Sequence, residues 1–285
     1  MTSTVFIVYI SPAGSTRHVA KQIEDTLESL SMTPQVLDLD AERDPSFFLE
    51  SIRNAKKDDC IFIGSPVYRD MAVPPIMSFI QSLPVVTGCY AVPFVTWGGA
   101  SSGIALWQMG QMLVEKGFLL AGAAKIVGVH SLMWRSSEPA GYGHPNIEDD
   151  RLIHQFVKDV VNRITHHAIR PIDSDDLDYQ PIPYNDEMKR KLNEPWMIIP
   201  KTIDQTTCTQ CGLCMTVCPV AAVTLKPFPK FSQICFDCFN CIRLCPENAI
   251  ASVVPFEMIE EHIRSRVSLF NEDRKPGFFV ADILE

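Results

Sequence analysis

Eight of the ten cysteines of this 285-residue chain fall between Cys208 and Cys245. They form two copies of one pattern, Cys208-x2-Cys211-x2-Cys214-x3-Cys218-Pro219 and Cys235-x2-Cys238-x2-Cys241-x3-Cys245-Pro246, offset by 27 residues at every cysteine. The following segments, Val220–Thr224 and Glu247–Ala251, echo each other as well. The first residues, Met1–Phe6, carry no basic segment ahead of their apolar run. We therefore expect no secretory signal, and thiols that are reduced or metal-bound rather than paired in disulfides. A zinc ribbon needs only two Cys-x2-Cys pairs and leaves the third cysteine of each run and the trailing prolines unexplained. Cys60 and Cys89 stand apart and read as buried apolar thiols.

The complete spacing resembles the cysteine run of bacterial two-cluster ferredoxins, in which the fourth cysteine of each run ligates the other cluster. The resemblance implies two [4Fe-4S] clusters. The first would use Cys208, Cys211, Cys214 and Cys245, and the second Cys235, Cys238, Cys241 and Cys218. Crossed ligation of this kind forces the two copies to pack together.

The first 170 residues follow a different grammar. Thr4–Ile10 and Asp59–Gly64 are short, nearly continuous apolar runs, the pattern of strands covered on both faces. Gln35–Leu39, Tyr90–Thr96 and Phe118–Val129 read as further strands. Thr16–Leu30, Pro45–Asn54, Val73–Leu83, Gly103–Lys116 and Ile147–Ile169 read as the helices between and after them. Five strands joined by helical crossovers predict a doubly wound parallel α/β sheet, with a small α+β domain to follow. Ligands of such sheets lie beyond the carboxyl ends of the strands. That directs attention to the loops Ser11–Thr16, Ser65–Met71 and Thr96–Ser102. The first offers hydroxyls and a helix N-terminus to a phosphate, without the Gly-Lys-Ser/Thr of a Walker loop. The second places Tyr68 beside the crevice, and the third brings Trp97 and two glycines.

Ser11-Pro-Ala-Gly-Ser-Thr16 resembles the phosphate loop of flavodoxins, Ile63-Gly-Ser-Pro-Val-Tyr68 their second loop, and Thr96–Ser102 their third. The resemblance covers about residues 3–170 and implies a flavodoxin-like fold binding FMN. Ser11, Ala13, Gly14, Ser15 and Thr16 would serve the phosphate. Ser65, Pro66, Val67 and Tyr68 would flank the ring on one side, and Thr96, Trp97, Gly98, Gly99 and Ala100 on the other. Ala13 stands where flavodoxins usually carry a hydroxyl, and Ser15 where they often carry Asn, so one phosphate donor is lost.

The domains expected are thus 1–170 for FMN, 171–200 as an extended proline-rich acidic linker, 201–254 for the clusters and 255–285 as a helical tail. In that tail Met258, Ile259, Ile263 and Val267 fall on one helical face, and the apolar end is expected to pack on its own chain or on a partner. The long connection Ser131–Asn146 is expected to cover the flavin or touch the second domain. The seven histidines show no metal-ligand spacing, and no apolar run approaches the ~18 residues of a membrane span. The net charge of −9 is spread without a basic stripe, which disfavours nucleic acid and suits a basic surface on a partner protein.

The whole resembles the flavodoxin–ferredoxin fusion proteins of anaerobes, which implies cytoplasmic electron transfer between FMN, two [4Fe-4S] clusters and a redox partner. Alternatives are an FMN-dependent reductase of NAD(P)H or a small organic substrate, and an electron-transfer subunit of a larger complex. A Gly-x-Gly-x-x-Gly nucleotide motif is absent: Gly98-Gly-Ala-Ser-Ser-Gly103 has Ala100 where the second glycine belongs.

Overall fold

The computed structural model describes residues 3–42, 44–166 and 168–284. His167 and Glu285, which fall in the long helix and the tail read above, lie outside the described residues. The first part alternates as expected: β1 (Val5–Tyr9), α1 (Ser15–Ser29), β2 (Gln35–Asp38), α2 (Ser46–Arg53), β3 (Cys60–Tyr68), α3 (Pro74–Ser82), β4 (Tyr90–Trp97), α4 (Ala105–Glu115), β5 (Gly122–Val127) and α5 (Ile147–His166). The parallel strands lie in the order β2-β1-β3-β4-β5. That is the 2-1-3-4-5 order of the flavodoxin-like fold.

Side chains alternate across β1, which explains its unbroken apolar character. Phe6, Val8 and Ile10 enter the core under α2, α3 and α4, while Val5, Ile7 and Tyr9 enter the one under α1 and α5. β3 runs past its expected end because Ser65 and Pro66 still pair with Val95 and Thr96. Gly103 shows why the turn into α4 needs glycine: at φ +59 its missing Cβ would lie 2.0 Å from the Asp70 carbonyl oxygen.

Three expectations are corrected. The five-stranded sheet gains a sixth strand, Gly277–Val280 of the C-terminal tail, which pairs antiparallel with β5 and covers its edge. Phe278 stacks on Phe156 and Phe279 on Tyr179, one on each face, so the apolar terminus packs on its own chain. The segment 171–200 is not an extended linker. It folds into α6 (Tyr184–Arg190) and short 3-10 turns, buries Leu177 and Met188, and ties Asp175 to Trp107 and Gln111 of α4. Pro183 caps the start of α6, and the apolar residues between the prolines find a surface to cover. In the tail helix, Phe256–Phe270, Ile259 and Ile263 are buried against Ala100, Met133 and Ala140, whereas Met258 faces solvent.

Asp70 holds both straps. Its buried carboxylate accepts from Lys191 at 2.9 Å and from Arg266 of the tail helix. The cysteine-rich part is built of two hairpin-like pairs, β6 (Lys201–Ile203) with β9 (Ile250–Ser252) and β7 (Val223–Leu225) with β8 (Pro229–Phe231). Between them sit the short helices α7 (Leu213–Thr216) and α8 (Asn240–Arg243). The tail helix is α9 and the edge strand Gly277–Val280 is β10, and after it Asp282–Ile283 pairs antiparallel with Ile169–Arg170. Among the described residues no helix is long and apolar enough to cross a membrane.

Candidate functional site

The loops after β1, β3, β4 and β5 meet around a cavity at the carboxyl edge of the sheet, where ligands of such sheets bind. Gly14, at φ +99, turns the first loop into α1. This sets Ala13, Ser15 and Thr16 against the cavity, where the first-turn N–H groups of a helix lack intrahelical partners and its dipole is positive. The loop is pinned from below. Arg17 N–H donates to Ser11 Oγ at 2.8 Å, Ser11 N–H donates to Asp40 Oδ2 at 2.7 Å, and the Thr16 and Thr96 hydroxyls meet at 2.7 Å. Burial pushes the Asp40 carboxyl up to about 6, with the Ser11 N–H opposing and the neighbouring Asp38 adding to the rise.

Trp97 is 2% exposed, and its indole N–H has no hydrogen-bond partner among the described residues. A buried donor left unpaired costs about 1–3 kcal/mol. Since Trp97 lines the cavity, the site suits a ligand with acceptors as well as an anionic end. Of the expected residues, Ser11, Ala13, Ser15, Thr16, Pro66, Val67, Tyr68, Thr96, Trp97 and Gly98 border the cavity.

Gly14, Ser65, Gly99 and Ala100 do not border it. Gly14 shapes the turn. Ser65 is fully buried, its hydroxyl donating to the Pro66 carbonyl at 2.8 Å and accepting from Val73 N–H at 3.1 Å. Gly99 lies against the backbone of Gly141, and Ala100 packs beneath α9. Pro12 borders the cavity too, as do Gly128, Val129 and His130, none of them expected as site residues, and Ser131, the first residue of the connection expected to cover the flavin. The signal for residues 128–131 was topological, since β5 neighbours β4 and its following loop must open onto the same crevice. In that loop burial, with Arg266 adding to the effect, lowers the His130 imidazole to about 4, so it is neutral. Its Nδ1 accepts from Leu132 N–H at 3.3 Å.

The two cysteine runs repeat in backbone as in sequence. Positive φ angles occur at Gln210 and Asp237, at Gly212 and Phe239, and at Ala221 and Asn248, each pair 27 residues apart. The Ala222 N–H points at Cys218 Sγ (3.2 Å) and the Ala249 N–H at Cys245 Sγ (3.4 Å). Cys208, Cys211, Cys214 and Cys245 line one cavity. These are the four ligands expected for the first cluster. Among the described residues no three His, Cys, Asp or Glu side chains converge as one metal ion requires; the sulfurs instead border a larger space. Cys235, Cys238, Cys241 and Cys218 influence one another electrostatically. Burial raises the thiols of Cys235, Cys238 and Cys241, the last to about 12.

The second run is the one that meets the sheet cavity. Phe236, between Cys235 and Cys238, is 1% exposed and belongs to the core of the parallel sheet. Its ring centroid lies 5.9 Å from that of Tyr68. Cys238 packs on the same core, and burial together with the Cys238 sulfur pushes the Tyr68 hydroxyl pKa upward. Arg243 of α8 donates to the Pro12 carbonyl at 2.8 Å, reaching the first loop from the other side. Trp134, from the long connection after β5, packs on Phe239 and Phe256. The Lys201 side chain is enclosed beside the same run, 1% exposed, with its ammonium 2.7 Å from Asp237 Oδ1, 3.0 Å from the Ile199 carbonyl and 3.6 Å from Cys235 Sγ. Burial pulls its pKa down, but the Asp237 hydrogen bond and charge outweigh burial and leave it raised.

Residues 200–246 match the family described as a 4Fe-4S dicluster domain, a span that includes all eight clustered cysteines. The chain joins a parallel sheet of flavodoxin-like strand order to a 4Fe-4S dicluster domain. A ferredoxin of Pyrobaculum islandicum is 40% identical over 52 residues, which are 17% of this chain and 49% of that protein. The chain thus spans about half the length of the curated relative it matches. Among solved structures, an archaeal flavodoxin aligns over 57% of this chain and 99% of its own, with 20% identity and a TM-score of 0.43. Flavodoxin 1 of Bacillus cereus aligns over 56% and 98%, with 20% identity and a TM-score of 0.43. The matched dicluster domain supports an electron-transfer role.

Proposed function

We propose that the fusion carries electrons between FMN, held in the cavity of the parallel sheet, and two [4Fe-4S] clusters, and onward to a redox partner protein in the cytoplasm. The observation that carries this reading is the contact of Phe236 with Tyr68: the second cysteine run is plugged into the wall of the sheet cavity. FMN would supply a two-electron store and the clusters one-electron steps. Ser15, Thr16 and the start of α1 would hold the phosphate, with Ser11 and Gly14 shaping the loop. Tyr68, Pro66 and Val67 would flank the ring opposite Thr96, Trp97 and Gly98, and the Trp97 N–H would find its missing acceptor. Ser65, Gly99 and Ala100 support those loops from behind.

The same geometry orders the route. The cluster on Cys235, Cys238, Cys241 and Cys218 lies inward, next to Tyr68. The one on Cys208, Cys211, Cys214 and Cys245 lies outward, where Cys211 is exposed to a partner. Residues 1–170 bind FMN and 201–254 the clusters, while 171–200 and 255–285 strap the two together. Anaerobic purification with flavin, iron and acid-labile sulfide measured per chain tests this. One FMN and the iron and sulfide of two cubanes are expected; zinc, or a chain that cannot be loaded with flavin, refutes it.

A further inference from the structure

The two cluster sites are related by the 27-residue repeat, yet their surroundings differ in charge at two matched positions. The strand pairing sets Ile203 opposite Ile250 and Phe231 opposite Val223, so Pro229 occupies in the first site the place Lys201 occupies in the second. Likewise Gln210 stands where Asp237 stands, both at φ 59°. Gln210 and Pro229 line the cavity of the first run, and both are uncharged. At the second run the corresponding pair is a buried ammonium and carboxylate.

We infer that Lys201 is a positioning residue that raises the reduction potential of the inner cluster relative to an identical site without it. The inference rests on the two-cluster reading above. Reduction adds one electron to a thiolate-ligated cluster, and no atom is gained or lost. A cation kept out of water and aimed at a ligand sulfur stabilises that added charge, and hydrogen bonds to cluster sulfurs act in the same direction. Lys201 Nζ lies 3.6 Å from Cys235 Sγ, and its charge acts on Cys241 as well. Asp237 Oδ1 is 3.8 Å from the same sulfur, but its carboxylate is occupied by Lys201 and by Ile199 N–H at 2.8 Å. Phe231 and Phe239, with centroids 5.5 and 5.0 Å from the ammonium, close the site against solvent. Burial by itself lowers a cluster's potential, so the charge offsets what the inner position imposes.

The test is a redox titration of the full-length, anaerobically prepared protein followed by electron paramagnetic resonance, after its iron and sulfide have been counted. In Lys201→Met one of the two cluster waves is expected to move to more negative potential while the other stays, and Lys201→Arg is expected to restore it. The double variant Gln210→Asp, Pro229→Lys moves the other wave to more positive potential. Two unmoved waves in Lys201→Met, or equal movement of both, overturn the inference. If Lys201→Met does not retain its clusters, the double variant decides, and an unmoved wave there overturns it. A wild-type count short of two clusters refutes the underlying reading instead.

Discussion

Truncating Phe236 tests whether the second cysteine run is seated as the contacts indicate. The side chain is 1% exposed and packs within the core of the parallel sheet although it belongs to the cluster loop. Replacing a fully buried phenylalanine by alanine costs about 3–5 kcal/mol in lost burial and cavity formation. Because this ring lies between domains, much of that loss falls on the docking of the loop rather than on either core alone. At about 1.4 kcal/mol per factor of ten, Phe236→Ala should raise local opening by roughly 10²–10³. Amide hydrogen exchange, read in the peptides spanning 235–240 and around Tyr68, should accelerate by that factor, while the peptides of β1 and β4 keep their protection. Phe236→Leu, which retains most of the volume, should show a much smaller change. Unchanged exchange in Phe236→Ala, or uniform acceleration across the sheet, would refute the seating of this loop.

Three further outcomes are expected. The Asp40 carboxyl titrates at about 6 instead of its ordinary 3.8 because it is buried, so its stabilising contribution is present below pH 4 and lost as pH rises through 6; Asp40→Asn, neutral throughout, should gain on the wild type by up to about 3 kcal/mol between pH 4 and 7 in denaturant titrations, whereas parallel profiles contradict the shift. Asp70→Asn keeps a residue that tolerates the positive φ of 71° but removes the charge that Lys191 and Arg266 share; about 3 kcal/mol should be lost, with early proteolysis in 171–200 and in α9, and an unchanged cleavage pattern counts against the strap. Ala13→Ser adds a hydroxyl at the edge of the cavity and should tighten FMN binding about 3- to 10-fold, the worth of one net hydrogen bond, as measured by flavin fluorescence quenching.

Local patterns made much of this architecture legible. The crossover order followed from apolar runs such as Val5–Tyr9 and from amphipathic helices, since periodicity is written within each element. The cysteine-rich domain was readable because the spacing of its cysteines is written within each run, and residues 200–246 match a 4Fe-4S dicluster domain. What escaped depends on which distant segments become neighbours. Nothing around Phe236 distinguishes a plug in another domain's core from an ordinary apolar residue. The Arg243–Pro12 contact spans 231 residues. The prolines of 171–200 suggested an extended chain because their effect on helices is local, whereas the burial of Leu177 and Met188 depends on a surface supplied by the sheet domain. Ser65, Gly99 and Ala100 lie in the right loops but do not border the cavity, a distinction set by tertiary packing that loop composition does not carry.

In the proposed function, flavin and clusters exchange electrons within one chain. Flash photoreduction of the flavin in the anaerobic protein, with flavin and cluster absorbance followed together, measures this directly. Flavin reoxidation and cluster bleaching should proceed with one common rate that does not change over a tenfold range of protein concentration. A rate that rises with concentration, or flavin that stays reduced beside oxidised clusters of higher potential, would contradict the account.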